Sequence, residues 1–168
     1  MAPLILVLGG ARSGKSRYAE RLISEYAAPW IYIATAEALD DEMRMRIAEH
    51  RARRDTRWHT IEAPHALADA VRDAPAEQPL LVDCLTLWLS NRLLVDTHIE
   101  QETGTLVDTL AARTAPTIAV SNEVGLGIVP DNALARRFRD AAGTANQMLA
   151  ARADRVDFIA AGLPLRLK

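Results

Sequence analysis

A chain of 168 residues that is 49% hydrophobic can bury one substantial core without metals or disulfides. A formal net charge of −2 gives no overall basic field, which leaves sequence-independent nucleic-acid binding with little support and only a local basic patch to carry it. The lone Cys84 closes no internal disulfide, no charged segment precedes the first apolar run, and no apolar stretch approaches membrane-spanning length, so the expectation is one soluble, cytoplasmic domain over residues 1–168 with no membrane span and no nucleic-acid partner.

In chain order, the apolar run "LILVL" at 4–8 predicts a first strand, followed by "GGARSGKS" and a helical pattern over 15–27. A second strand, "WIYIA" at 30–34, precedes a helical pattern over 38–54. The third strand, "LLVDC" at 80–84, leads into helical patterns over 85–95 and 100–113. "TIAVS" at 117–121, a helix over 132–153 and "RVDFIAA" at 155–161 complete five expected strands, and the terminal "GLPLRLK" suits a short edge strand after a Gly-Leu-Pro turn. Strands alternating with helices specify an α/β fold with a mostly parallel sheet and helices on both faces.

"GGARSGKS" satisfies G-x-x-x-x-G-K-[ST] between a strand and a helix, the context a phosphate-binding P-loop requires. Gly9 and Gly14 let the backbone curl so that successive N–H groups face a phosphate, and the helix that follows adds the positive end of its dipole. Lys15, the only lysine before the terminus, would bridge the β- and γ-phosphates. Ser16 would offer its hydroxyl to Mg²⁺, and Asp83, ending the run "LLVD", has the form of a Walker B carboxylate for the same ion.

A P-loop implies a nucleotide and leaves its fate open. Leu39, Met43 and Ile47 repeat at helical spacing, and His50 falls at the edge of that stripe, one turn after Arg46 and one before Arg53 and Arg54. Ringed by guanidinium groups, a neutral imidazole would be available as a nucleophile beside a polyphosphate. A solvated, arginine-rich helix face is the alternative reading of the same pattern.

Five ordered segments, "GGARSGKS", "YIATAEALDDEMRMRIAEHRARR", W-x-T-x-E-A-P at Trp58 to Pro64, "LLVDCLTLWLSN" and "SNEVGLGIVPDNALARRFRDAAGTANQ", resemble the bifunctional adenosylcobinamide kinase / adenosylcobinamide-phosphate guanylyltransferase family of cobalamin synthesis. The resemblance implies a single-domain P-loop NTPase of RecA-like fold, two substrates, ATP and GTP, with Mg²⁺, a corrinoid partner (adenosylcobinamide and its phosphate), and a homotrimer. It implies His50 as the guanylylated histidine beside Lys15 as the second catalytic residue. It also implies nucleotide contacts at Gly9, Gly10, Ala11, Arg12, Ser13, Gly14, Lys15 and Ser16, at Ala34, Thr35 and Ala36, at Arg51, Ala52 and Arg53, and at Glu62 and Asp83, with Ser16 and Asp83 at the metal. One departure is Ala161, where the family's S-G-L-P pattern usually has serine.

His59 and His65 lack the arginine ring of His50 and read as structural, and His98, in a polar connection, reads as solvated. Asn122 and Glu123 follow a predicted strand, where they either meet substrate or Mg²⁺ or merely turn the chain with Gly125 and Gly127. Leu85, Trp88 and Leu89 read as core or subunit interface, and the homotrimer that the resemblance implies makes interface the favoured reading. Two rival classes fit less well. A GTP-dependent switch would need an N-K-x-D motif that this chain lacks, and a RecA-like ATPase acting on nucleic acid would need a basic, aromatic-lined groove.

Overall fold

A computed structural model describes residues 2–38, 40–95 and 98–168, the side chains of Glu42 and Arg46 excepted. Thirteen elements follow one another there: β1 (Leu4–Gly9), α1 (Lys15–Ile23), β2 (Trp30–Ala34), α2 (Asp41–Ala52), β3 (Trp58–Glu62), α3 (Leu67–Asp73), β4 (Leu80–Asp83), α4 (Leu85–Leu93), α5 (Ile99–Ala111), β5 (Thr117–Asn122), α6 (Ala133–Arg152), β6 (Arg155–Ala160) and β7 (Leu163–Arg166). The strands form one sheet in the order β3-β2-β4-β5-β1-β6-β7. All its pairs are parallel except the last, in which β7 runs antiparallel to β6 as the expected short edge strand.

Two faces of the central strands fill two cores. Leu4, Leu6 and Leu8 of β1 pack with Leu80, Val82 and Ala119 against apolar residues of α3, α4, α5 and α6. Ile5 and Val7 point to the other face with Leu81, Ile118 and Val120, where α1 covers them through Ala19, Leu22 and Ile23. Burial on both faces explains why β1, β4 and β5 read as unbroken apolar runs. Leu85, Trp88 and Leu89 of α4 lie in the first core, so the apolar face of that helix is spent within the chain.

Seven strands replace the five plus a terminal edge expected, because β3, "WHTIE", is an outer strand with mostly exposed side chains and carries no apolar run. The seven-residue α3 is too short to show a helical period and buries only Leu67 and Val71. Beyond α1, the second face is covered near β3 by side chains: Trp58 packs at 5.1 Å from the Trp30 ring and 6.0 Å from Tyr32, with Arg57 over Trp30.

Helix α2 differs from the others. Asp40 caps it, its side chain accepting from the Met43 N–H at 2.7 Å, yet none of its described residues is buried and Met45 is 66% exposed. The apolar stripe expected from Leu39, Met43 and Ile47 therefore has no core to enter; Met43 and Ile47 are half-buried, and Leu39 and the Arg46 side chain lie outside the described residues.

Candidate active site

The P-loop curls as its glycines require. Gly14 sits at φ 93°, in the left-handed region, and a Cβ at Gly9 would come within 2.6 Å of Ser13 Oγ and 2.7 Å of the Ile159 carbonyl. The loop is braced from the far edge of the sheet, where the Gly162 N–H donates to the Ser13 carbonyl at 2.8 Å. Ala161, the departure from the family pattern, occupies the same turn at φ 51°. Gly10, Ala11 and Arg12 complete an open rim, with Ala11 and Arg12 exposed.

Lys15 is buried and bends back on the loop, its Nζ donating to the Gly10 carbonyl at 3.0 Å. Burial pushes its ammonium below the usual lysine value, and the nearby Cys84 and Asp83 pull in the other direction. Ser16 Oγ donates to Asp83 Oδ1 at 3.3 Å, and the Tyr32 hydroxyl donates to Asp83 Oδ2 at 2.8 Å. Burial alone would raise the Asp83 carboxyl; the contacts from His50, Tyr32 and Ser16 outweigh it and hold the group below the ordinary aspartate value, so it is a carboxylate at neutral pH. A hydroxyl and a carboxylate adjacent at the foot of a P-loop fit Mg²⁺ shared with phosphate oxygens. Among the described residues there is no cluster of three or more His, Cys, Asp or Glu side chains that could hold a metal ion.

His50 arrives at this acid from the last turn of α2. Its Nδ1 lies 3.5 Å from Asp83 Oδ2 and 3.5 Å from the Tyr32 hydroxyl, with the side chain about one-third exposed. The expected guanidinium ring takes a different form. Arg51 pairs with Glu62, Arg53 with Glu20 at 3.5 Å, and the Arg54 guanidinium stacks over the Tyr32 ring at 3.7 Å. The described contacts of His50 are thus with a carboxylate and a phenol. The arginines instead tie the end of α2 to α1, β2 and β3.

Strand register lines these groups along one edge. Ala34 pairs with both Glu62 and Asp83, and Gly9 pairs with Asn122, so the carboxyl ends of β3, β2, β4, β5 and β1 carry the site, where ligands of open α/β sheets sit. A cleft of about 350 Å³ between the end of α2 and β3 is lined by Arg51, Arg54, Asp55, Trp58, Thr60 and Glu62. Ala52 and Arg53 are exposed beside it, and Ala36 is half-buried in the connection after β2.

Residues 5–167 match the model of the cobinamide kinase / cobinamide phosphate guanyltransferase family. The chain belongs to that family. It is 54% identical to the bifunctional adenosylcobalamin biosynthesis protein CobP of Pseudomonas aeruginosa, across 97% of this chain and 96% of that protein. It is 40% identical to the bifunctional adenosylcobalamin biosynthesis protein CobU of Salmonella typhimurium, across 98% and 99%. Among solved structures it is similar to the flagellar accessory protein FlaH of Methanocaldococcus jannaschii, with a TM-score of 0.56 at 14% identity over 99% of this chain and 78% of that one. A type III secretion ATPase gives a TM-score of 0.58 at 12% identity, over 98% of this chain and 56% of that one. At such identities these two show the fold alone, that of the P-loop ATPases.

Within a family member, the remaining candidates sort by what their side chains already do. Thr35 accepts from the Cys84 N–H at 2.8 Å and donates to the Cys84 carbonyl at 2.6 Å, which spends its hydroxyl on joining β2 to the start of α4. His65 meets Glu37 at 2.8 Å and His98 is exposed at the start of α5, while His59 is exposed on β3; none of the three has a described contact with Asp83. Tyr32, Trp58 and Glu20 were not anticipated. The alternation of "WIYIA" puts Tyr32 on the face of Trp30, a detectable signal, but its meeting with Asp83 depends on β2 pairing with β4, which is not adjacent to it in sequence.

Proposed function

We propose that this chain is a bifunctional enzyme of cobalamin biosynthesis that phosphorylates adenosylcobinamide with ATP or GTP, then transfers GMP from GTP to the product through a guanylated His50. The observation that carries this reading is the approach of His50 Nδ1 to Asp83 Oδ2, because a kinase has no need of an imidazole beside its metal-binding acid. With Nδ1–H turned toward the carboxylate, the lone pair resides on Nε2, the nitrogen free to attack.

In the first reaction the backbone N–H groups from Gly9 to Ser16 hold the triphosphate and Lys15 spans its β- and γ-phosphates, leaving the γ-phosphorus to the substrate hydroxyl. Mg²⁺, held by Ser16 and Asp83, would supply charge neutralisation of the phosphate oxygens. In the second, His50 Nε2 bonds to the α-phosphorus of GTP and the bond to the bridging oxygen breaks, releasing pyrophosphate. An oxygen of adenosylcobinamide phosphate then displaces the histidine, giving adenosylcobinamide-GDP and restoring the free imidazole. The cleft beside Trp58 suits the guanine, since the Glu62 carboxylate, on exchanging its partner Arg51, can accept from the N1–H and amino group of the base.

Incubation with α-labelled GTP and Mg²⁺ tests this reading. The protein should acquire a label lost in acid and kept in alkali, with pyrophosphate released in equal amount, and γ-labelled GTP should leave none; an unlabelled native protein would refute the covalent route. The same reading includes a homotrimer, to be checked as a mass three times the 18.4 kDa chain by sedimentation.

A further inference from the structure

Beyond β4, the end of β5 carries a polar group that the two reactions above leave unused. Asn122 sits beside the first P-loop glycine, paired in register with Gly9, and the next residue's N–H donates to the Gly9 carbonyl at 3.0 Å. Its side-chain amide is fixed in orientation: Nδ2 donates to Thr86 Oγ1 at 2.9 Å, and the Thr86 hydroxyl meets Cys84 Sγ at 2.8 Å. From α6, buried Asn146 donates through Nδ2 to the Asn122 backbone carbonyl at 3.1 Å. Held at both ends, Asn122 turns its Oδ1 away from Thr86, and this buried oxygen has no hydrogen-bond partner among the described residues. A buried carbonyl without a donor is costly and points to a ligand that supplies one.

The chemistry of that atom selects the ligand. With Nδ2 spent on Thr86, Oδ1 can only accept, so it cannot hold a phosphate oxygen and meets instead a hydroxyl, an ammonium, a water or a hard cation such as Mg²⁺. Its place selects further. The Asp83 carboxylate faces Ser16, Tyr32 and His50, whereas the Asn122 amide reaches to Thr86 at the start of α4. A triphosphate seated on the loop would therefore have the histidine on one flank and Asn122 on another. Resting on the kinase half of the function proposed above, we infer that Asn122 Oδ1 accepts a hydrogen bond from the attacking hydroxyl of the corrinoid's alcohol arm and aims its oxygen at the γ-phosphorus. The new bond forms between that oxygen and the γ-phosphorus as the bond to the β–γ bridging oxygen breaks. The nucleoside diphosphate leaves, and the hydroxyl proton passes to an oxygen of the transferred group and on to solvent. The amide orients the nucleophile and takes no proton itself. Thr86 and Asn146 are positioning residues that act through it.

Asn122→Ala separates the two activities in the direction opposite to loss of His50. With adenosylcobinamide, γ-labelled ATP and Mg²⁺, its kinase kcat should fall about tenfold to a hundredfold, the cost of one hydrogen bond to a reacting group, with little change in KM. Labelling of His50 from α-labelled GTP should stay within about twofold of native, since that step uses no acceptor hydroxyl. Asn122→Asp keeps an oxygen acceptor and should recover part of the kinase rate. Thr86→Val, which loses the anchor to Asn122 together with the contact to Cys84 Sγ, should show the same pattern at about threefold to tenfold, and it decides the matter if Asn122→Ala does not fold. The inference is overturned by a kinase rate within about twofold of native in folded Asn122→Ala, or by equal loss of labelling and kinase activity. A shifted Mg²⁺ requirement in both reactions would also overturn it, because the partner of Oδ1 would then be metal-bound water. Absence of label on the native protein would sink the guanylyl-histidine reading and leave the kinase comparison to judge Asn122 by itself.

Discussion

The P-loop end of the central strands and the α2–β3 flank meet at Asp83, yet they are built by opposite means. Around the P-loop, β1, β4 and β5 are buried on both faces, and their geometry is set by close-packed side chains such as Leu81 and Ile118 that are wholly inaccessible. Helix α2 buries none of its described residues and is held by a cap at Asp40 and by contacts of its last turn and the residues after it: Arg51 with Glu62, His50 with Asp83, Arg53 with Glu20 and Arg54 with Tyr32. The exposed pair among them, Arg51 with Glu62, contributes at most about 1 kcal/mol. The difference teaches a division of labour under the proposed function: both reactions would use the phosphate cradle, set among close-packed strands, and only guanylyl transfer would use His50, which is carried by a helix tethered through polar contacts near its end.

The largest expected effect is on the shared side. Lys15→Ala should lower both kinase and guanylyl-transfer rates about a thousandfold or more in a folded protein, and normal turnover in either reaction would break the idea of one cradle. Asp83→Asn should lower both by about a hundredfold while nucleotide affinity in an equilibrium titration changes much less; an unchanged Mg²⁺ dependence would return Asp83 to a structural role. Stability sharpens the contrast further. Leu81→Ala, at a wholly buried position, should cost about 2–5 kcal/mol in denaturant unfolding, whereas Met45→Ala on α2 should stay within about 0.5 kcal/mol. The smallest effect belongs to the tether: Arg53→Ala removes the contact with Glu20 and should slow His50 labelling about threefold while sparing the kinase. Equal slowing of both reactions would mean that α2 serves the cradle as well.

The same division separates what is legible in the sequence from what is not. β1, the P-loop and β4 were legible because burial on both faces produces unbroken apolar runs and because the loop's backbone demands glycine at Gly9 and Gly14, positions the structure shows to be crowded or left-handed. β3 and α3 left little trace, being exposed in one case and too short for a period in the other. His50 stood out by its arginine neighbours, but its described partners, Asp83 and Tyr32, come from strands 33 and 18 residues away, and only the pairing of β2 with β4 brings them together. Asn122 remained undecided between turn and site because its significance depends on an amide orientation fixed by Thr86, a contact across 36 residues that no local pattern encodes.

The central claim, that one phosphate cradle serves two reactions and the α2 histidine only the second, is tested most directly by His50→Ala assayed for both. The variant should phosphorylate adenosylcobinamide from γ-labelled ATP at a rate within about threefold of native, because the imidazole is absent from that step's chemistry. It should take no acid-labile label from α-labelled GTP and form no adenosylcobinamide-GDP, while His59→Ala and His65→Ala both still take the label. Normal labelling of His50→Ala, or loss of its kinase activity together with the transferase in a folded protein, would contradict the account.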